Sequence, residues 1–232
     1  MNSKYIFIFL FSLLLMNCAK TKSDPELINN ATGRYLFNSD EVVEVYFKEN
    51  TLYLKWRGAN SIKPLATSEN TFFVKEMNEK IQFLTNPSDD KIYMVIVPKE
   101  ESDSIYYNYK KLNENEKIPS EYLKENEFDK ALTDYINIKE NDSLDASISE
   151  NHFNSSGYKE LRDKNFELAI NYFKINVELY PESSNVYDSL GEAYMKNGDT
   201  IQAISNFEKS LKLDSGNSRA KRYLKRLQKK KE

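Results

Sequence analysis

A serine followed three residues later by a lysine offers a nucleophile and an amine that can take its proton, one arrangement among several that serve acyl transfer. The chain contains it twice, as Ser156-Gly157-Tyr158-Lys159 and as Ser218-Arg219-Ala220-Lys221. Both copies fall where the hydrophobic period is helical, and a two-residue match at this spacing arises often by chance. His152 is the single histidine, which argues against a histidine-based metal site and against a Ser-His triad. It stands in a loop entering a helix, with no acidic or cysteine cluster at ligand spacing, and reads as an exposed or capping residue. The acidic residues Asp89-Asp90, Glu100-Glu101 and Asp142 read as solvated loop charges. No glycine-rich phosphate loop is present. The residues point to a non-catalytic chain with no cofactor and no metal.

The elements that carry these residues fall into two regions with different periods. From Gly33 to about Lys111 the alternation is period two and rich in β-branched and aromatic residues. Strands are predicted near Gly33–Phe37, Val42–Lys48, Thr51–Trp56, Ser61–Pro64, Thr71–Lys75, Lys80–Thr85, Lys91–Pro98 and Ser104–Lys110, separated by turn signals such as Glu49-Asn50 and Arg57-Gly58. So many short strands with tight connections imply an antiparallel meander closing into a small barrel or half-barrel, its interior filled by its own side chains. From Pro119 onward the period becomes helical, with Ser120 as the expected N-cap and Phe128, Ala131, Leu132 and Tyr135 on one face. The expected fold is α+β. A linker spans 18–30, an antiparallel β-domain 31–112, a degenerate helical repeat 113–149, two repeats 150–217 and a capping helix 218–232.

The repeat is visible directly. A shift of thirty-four residues lays Gly157 on Gly191, Ala169 on Ala203, Ile170 on Ile204 and Phe173 on Phe207, while Lys174 falls on Glu208. The packing face is kept and the solvent face diverges. The second copy, Tyr187-x2-Leu190-Gly191-x2-Tyr194 followed by Ala203-x3-Phe207, resembles the tetratricopeptide repeat, with Pro181 closing the first copy. Small residues let the two helices of a repeat approach, and large ones fill the space between neighbouring pairs. The resemblance implies that the first helix of each repeat lines a concave groove. That face carries Asn151, Asn154, Tyr158 and Arg162 in the first copy and Asn185, Asp188, Glu192 and Lys196 in the second.

A wider likeness joins the two regions. The run Phe173–Pro181 followed by Asn185–Tyr194, with Gly33-Arg34-Tyr35 and Phe72-Phe73 in the β-region, is similar to the accessory tail of β-lactamase-related serine hydrolases. In that family a catalytic domain precedes such a β-domain and helical tail; here only about ten residues separate Cys18 from the β-region. The family's Tyr-x-Asn partner has a match at Tyr106-Tyr107-Asn108, but it precedes both Ser-x-x-Lys sites, the reverse of the family's order. The resemblance is to the accessory portion alone.

The beginning of the chain suggests a compartment. Lys4 precedes a twelve-residue apolar run, Tyr5–Met16, then Asn17 and the single cysteine, Cys18. Such a run is too short for the roughly 30 Å hydrocarbon core and fits a cleaved leader, residues 1–17. Leu15-Met16-Asn17-Cys18 resembles the lipobox of bacterial lipoproteins, with Asn17 in place of the usual small residue, and implies acylation at Cys18. Losing Lys4 leaves 32 basic against 36 acidic residues, a net charge of −4, which argues against nucleic acid as a partner. The expectation is a lipid-anchored cell-envelope module (periplasmic or outer-membrane) that binds a protein or peptide partner. The alternatives are a soluble secreted or periplasmic form, a small-ligand carrier using the barrel interior, and an accessory subunit or remnant of a serine hydrolase. A carrier would need a cavity lined by several of Tyr35, Tyr46, Tyr53, Trp56 and Phe73.

Overall fold

The computed structural model describes residues 24–100 and 102–229, so the leader and the acylation expected at Cys18 lie outside the described residues. The described chain opens on a helix, α1 (Pro25–Ala31), where a linker was expected. Its signal is short: the Asp24 side chain accepts from the Glu26 amide, Pro25 takes the first turn, and the helix buries Ala31 completely.

Among the described residues nine strands follow: β1 (Gly33–Asn38), β2 (Glu41–Lys48), β3 (Thr51–Trp56), β4 (Ala59–Ile62), β5 (Leu65–Ser68), β6 (Thr71–Val74), β7 (Glu79–Asn86), β8 (Lys91–Ile96) and β9 (Tyr109–Lys110). Glu49-Asn50 and Arg57-Gly58 all have positive φ, as the two-residue turns that match strand twist require. The strands form two antiparallel sheets, ordered β1-β2-β3-β4 and β5-β6-β7-β8-β9. The expected barrel is therefore corrected to two open sheets. Among the described residues, one isolated bridge joins their edges, Tyr35 to Lys111, and beside it the Leu112 amide donates to the Arg34 carbonyl at 2.8 Å. Two further corrections concern length. β5 was not expected, and the last strand shrinks from seven residues to two, leaving Tyr106-Tyr107-Asn108 outside any strand.

Between the sheets Tyr35, Val43, Val45, Leu52, Leu54, Trp56, Phe72, Val74, Ile81 and Met94 pack as one cluster. Of the residues proposed to line a ligand cavity, Tyr35 and Trp56 belong to this packed core. Tyr46 and Tyr53 stack on each other across paired strands with ring centroids 5.5 Å apart. Four of the five side chains named for a carrier cavity are thus taken up, two in the core and two by each other.

The rest is helical: α2 (Pro119–Lys124), α3 (Phe128–Asn141), a 3-10 turn at Ala146–Ile148, α4 (Glu150–Arg162), α5 (Phe166–Leu179), α6 (Ser184–Asn197), α7 (Thr200–Leu213) and α8 (Ser218–Gln228). The expected cap Ser120 lies inside α2, which begins at Pro119. Its amide is capped from the other domain instead, donating to Asp40 Oδ1 at 2.7 Å. The thirty-four-residue shift lays α4–α5 over α6–α7 as two helix pairs, the arrangement the tetratricopeptide resemblance implies. Each pair is closed by a glycine facing a phenylalanine. A Cβ on Gly157 would stand 2.6 Å from Phe173 Cζ, and one on Gly191 2.9 Å from Phe207 Cδ1. Alanine at Gly157 gains about 1 kcal/mol of helix propensity but overpacks a closed contact at a cost of about 1–3 kcal/mol. We expect a net loss of stability for Gly157→Ala, read in urea unfolding as a lower midpoint at unchanged slope.

Candidate functional site

The site is the face shared by the first helices of successive pairs. α5 packs between α4 and α6, α6 on α7 and α7 on α8, while α4 also meets α6 directly. Ser149 caps α4 by accepting from the His152 amide at 3.2 Å, and Asn217 caps α8 by accepting from the amides of Arg219 and Ala220 at 3.1 Å. α6 stops at Gly198, whose φ of 89° makes the left-handed exit that glycine allows. These caps fix where each inner-face side chain points.

Four of the eight expected groove residues come together, and they do so with two that were not expected. Ser189 Oγ donates to Asn154 Oδ1 at 2.8 Å. Tyr158 Oη lies 3.2 Å from Glu192 Oε2 and 3.3 Å from Ser189 Oγ. Across them reaches Arg219 from α8. Its Nε donates to Asp188 Oδ2 at 2.5 Å, its Nη1 to Tyr158 Oη at 2.7 Å and to Glu192 Oε2 at 3.4 Å. The guanidinium carbon also sits 5.7 Å from the Tyr158 ring centroid. One arginine thus ties α4, α6 and α8 together.

The remaining expected residues stay at the rim. Asn151, Arg162, Asn185 and Lys196 are exposed; Asn185 Nδ2 donates to Glu150 Oε1 at 2.9 Å and Lys196 Nζ stands 3.4 Å from Glu192 Oε1. Asp188 and Glu192, expected as presented groove charges, are instead 2 % and 8 % exposed. The reason is Arg219, which covers them from a helix beyond the second repeat. Its signal was in the sequence: a further shift of thirty-four carries Asn185 onto Arg219, Asp188 onto Arg222 and Glu192 onto Arg226. Burial pushes the Tyr158 hydroxyl above its ordinary pKa, so it stays protonated and able to donate at neutral pH.

A second polar cluster fastens the β-domain to the first helical hairpin. Arg34 Nη2 meets both oxygens of Glu121 at 2.6 and 2.5 Å, and its Nη1 donates to the Glu116 carbonyl at 2.8 Å. Ser39 bonds Asp145, and Asp40 accepts from Tyr135 Oη at 2.6 Å as well as from the Ser120 amide. His152 is half-buried beside this junction, and burial lowers its pKa. It therefore packs, rather than standing exposed. The two Ser-x-x-Lys matches lie within α4 and α8. Ser156 and Lys159 belong to the first helix of a repeat, with Lys159 paired to Glu160 and Asp163.

No protein-family model matches the chain. Over 78 residues it is 33 % identical to the Superkiller protein 3 of Schizosaccharomyces pombe; the match covers 34 % of this chain, and the chain spans only 6 % of that relative's length. Among solved structures it is similar to the first TPR domain of Spaghetti (RPAP3) bound to an HSP90 peptide, at 20 % identity and a TM-score of 0.35, covering 48 % of this chain and 85 % of that one. The second TPR domain of human RPAP3, in complex with an HSP70 peptide, aligns at 22 % identity and a TM-score of 0.33 over 47 % of this chain and 88 % of that one. The Sgt2 TPR domain of Aspergillus fumigatus aligns at 18 % identity and a TM-score of 0.35, over 48 % and 73 %. At such scores the architecture rests on this chain's own thirty-four-residue repeat and helix pairing.

Proposed function

We propose that this chain is a non-catalytic protein- or peptide-binding module of the cell envelope, anchored through an acylated Cys18, whose partner docks on the inner face of α4, α6 and α8. The observation that carries this reading is the ordered row of side chains contributed by three successive first helices. Asn151 and Arg162 flank it on α4, Asn185 and Lys196 on α6, and Tyr158 and Arg219 stand at its centre. Exposed amides suit a peptide backbone, and tyrosine and arginine are the side chains that most often anchor an interface. A short array offers a short groove and modest intrinsic affinity. Confining module and partner to one membrane would raise their effective concentration and offset that weakness.

The test is capture from membrane extracts with the wild-type chain and with an Arg162→Glu/Lys196→Glu variant. Both positions are exposed and outside the packed cores, so the variant keeps the fold. The expected outcome is one partner retained by the wild type and reduced at least tenfold, an order-of-magnitude expectation for charge reversal at an interface. Equal retention by both would rule out the inner face as the docking surface.

A further inference from the structure

Deepening that reading, on which it rests, we infer that the recess formed by Tyr158, Asp188, Ser189 and Glu192 is a guanidinium subsite, occupied in cis by Arg219, into which the partner inserts an arginine side chain. The recess is built for a planar, many-donor cation. Acceptors on two helices, the Asp188 and Glu192 carboxylates, the Tyr158 hydroxyl and Ser189 Oγ, converge around one guanidinium, with the Tyr158 ring 5.7 Å from its centre. A lysine ammonium presents three donors from one point and leaves part of this set unmet.

The cis occupant fits imperfectly. Arg219 reaches Asp188 with Nε alone, and its contacts to Glu192 and Ser189 stretch to 3.4 and 3.5 Å. Asp188 is 2 % exposed, yet its Oδ1 has no hydrogen-bond partner among the described residues. A buried carboxylate oxygen left unpaired is costly, and the favoured pairing of carboxylate with guanidinium is a two-bond fork. Arg219 starts from the first turn of α8, and the bonds it makes from there leave that fork half-formed. An arginine arriving along the groove is free to align with both oxygens. Arg219 has a route out, because its side chain is one-third exposed, while α8 buries only Ala220 and Leu227. The other described cations of α8, Lys221, Arg222, Lys225 and Arg226, are exposed, and the α8 side chain bonded to Asp188 and Glu192 is Arg219.

The experiment is chemical rescue in the full chain. Arg219→Ala empties the recess, and N-ethylguanidinium at millimolar concentration is the probe, read by the shift in thermal midpoint. A saturable rise is expected for Arg219→Ala, at least tenfold weaker for Arg219→Ala/Asp188→Asn and for N-ethylammonium. The short amide acetyl-Gly-Arg-Gly, followed by calorimetry, is expected to bind Arg219→Ala at least tenfold more tightly than the wild type. Should Arg219→Ala fail to fold, Arg219→Gln keeps the stem and serves the same titrations. The absence of a saturable shift, equal rescue by the ammonium, or equal rescue of the Asp188→Asn background would overturn the subsite. A failed rescue with capture by the rim residues intact would overturn the subsite alone. Intact rescue with capture lost from no rim variant would instead count against the docking face.

Discussion

Phe173→Ala lowers the stability of the chain by about 3–5 kcal/mol, the cost of emptying a phenylalanine-sized space in a closed core. Phe173 is fully buried between the two helix pairs. Its ring lies over Gly157, meets the Tyr158 ring edge-on with centroids 5.2 Å apart, and packs in one cluster with Leu161, Ala169, Ile170, Leu190 and Ala193. Because residues from α4, α5 and α6 all surround it, the site has little freedom to collapse. Phe207, its equivalent one repeat later, is also fully buried but stacks on Tyr223 of the terminal helix, which can settle inward. We therefore expect a smaller loss for Phe207→Ala. Urea unfolding followed by circular dichroism measures both. A loss below about 1 kcal/mol at Phe173 would show that the repeat interface is not the core described, since that is the ordinary cost of an average substitution. The same change would also remove the support under Tyr158, linking the packing of the repeats to the shape of the inner face.

The second large effect is a pH dependence centred on Asp40. This residue sits in the turn between β1 and β2 and inserts between the β-domain and the first helical hairpin. Burial pushes its carboxyl up to about 6, against the hydrogen bonds from Tyr135 and the Ser120 amide and the nearby charge of Lys124, which pull the other way. The folded state thus holds the Asp40 proton more tightly than the unfolded state does. Its contribution to stability is fully present below the unfolded value near 4 and is lost as pH rises through about 6. Two pKa units correspond to about 3 kcal/mol. His152, whose pKa burial lowers, works in the opposite sense, since its protonation below about 6.5 costs stability. Glu41 and Asp145 moderate that cost. The comparison that isolates Asp40 is therefore wild type against Asp40→Asn, which removes the titration, keeps an acceptor for the Ser120 amide and presents a donor to which Tyr135 Oη can turn as acceptor. Relative to that variant, the wild type is expected to gain about 2–3 kcal/mol as pH falls from 7 to 4. A difference that stays flat across this range would place Asp40 in a more solvated position than the structure does.

The parts of the architecture legible in the sequence are those set by local rules or by repetition. Glu49-Asn50 and Arg57-Gly58 announce tight turns through Asn50 and Gly58, the residue types that accept positive φ most readily. The thirty-four-residue shift is legible because each glycine must face a phenylalanine for the pair to close. What was not legible depends on distant contacts. β5 exposes all four of its residues, so no inside–outside alternation marks it as a strand. α1 buries a single residue and carries too little pattern to stand out from a linker. Whether a meander closes is decided at a seam between residues some seventy-five apart, Tyr35 and Lys111, and only one bridge forms there. At the inner face, helical spacing brings Asn154, Tyr158, Asp188 and Glu192 to one side. Their exposure is settled by Arg219, thirty-one residues beyond Asp188, which the repeat period marks as an inner-face position without marking that its side chain turns back over the second repeat.

The central claim, that a partner docks on the face shared by α4, α6 and α8, is tested most directly by site-specific photo-cross-linking in membranes. A photoreactive phenylalanine analogue is placed singly at Asn185 and Lys196, exposed on the inner face, and at Glu167 and Glu208, exposed on the second helices of the two pairs. One cross-linked partner is expected from Asn185 and Lys196, weakened by Arg162→Glu, and no such product from Glu167 or Glu208. Cross-links of equal yield from both sets, or from Glu167 and Glu208 alone, would contradict it.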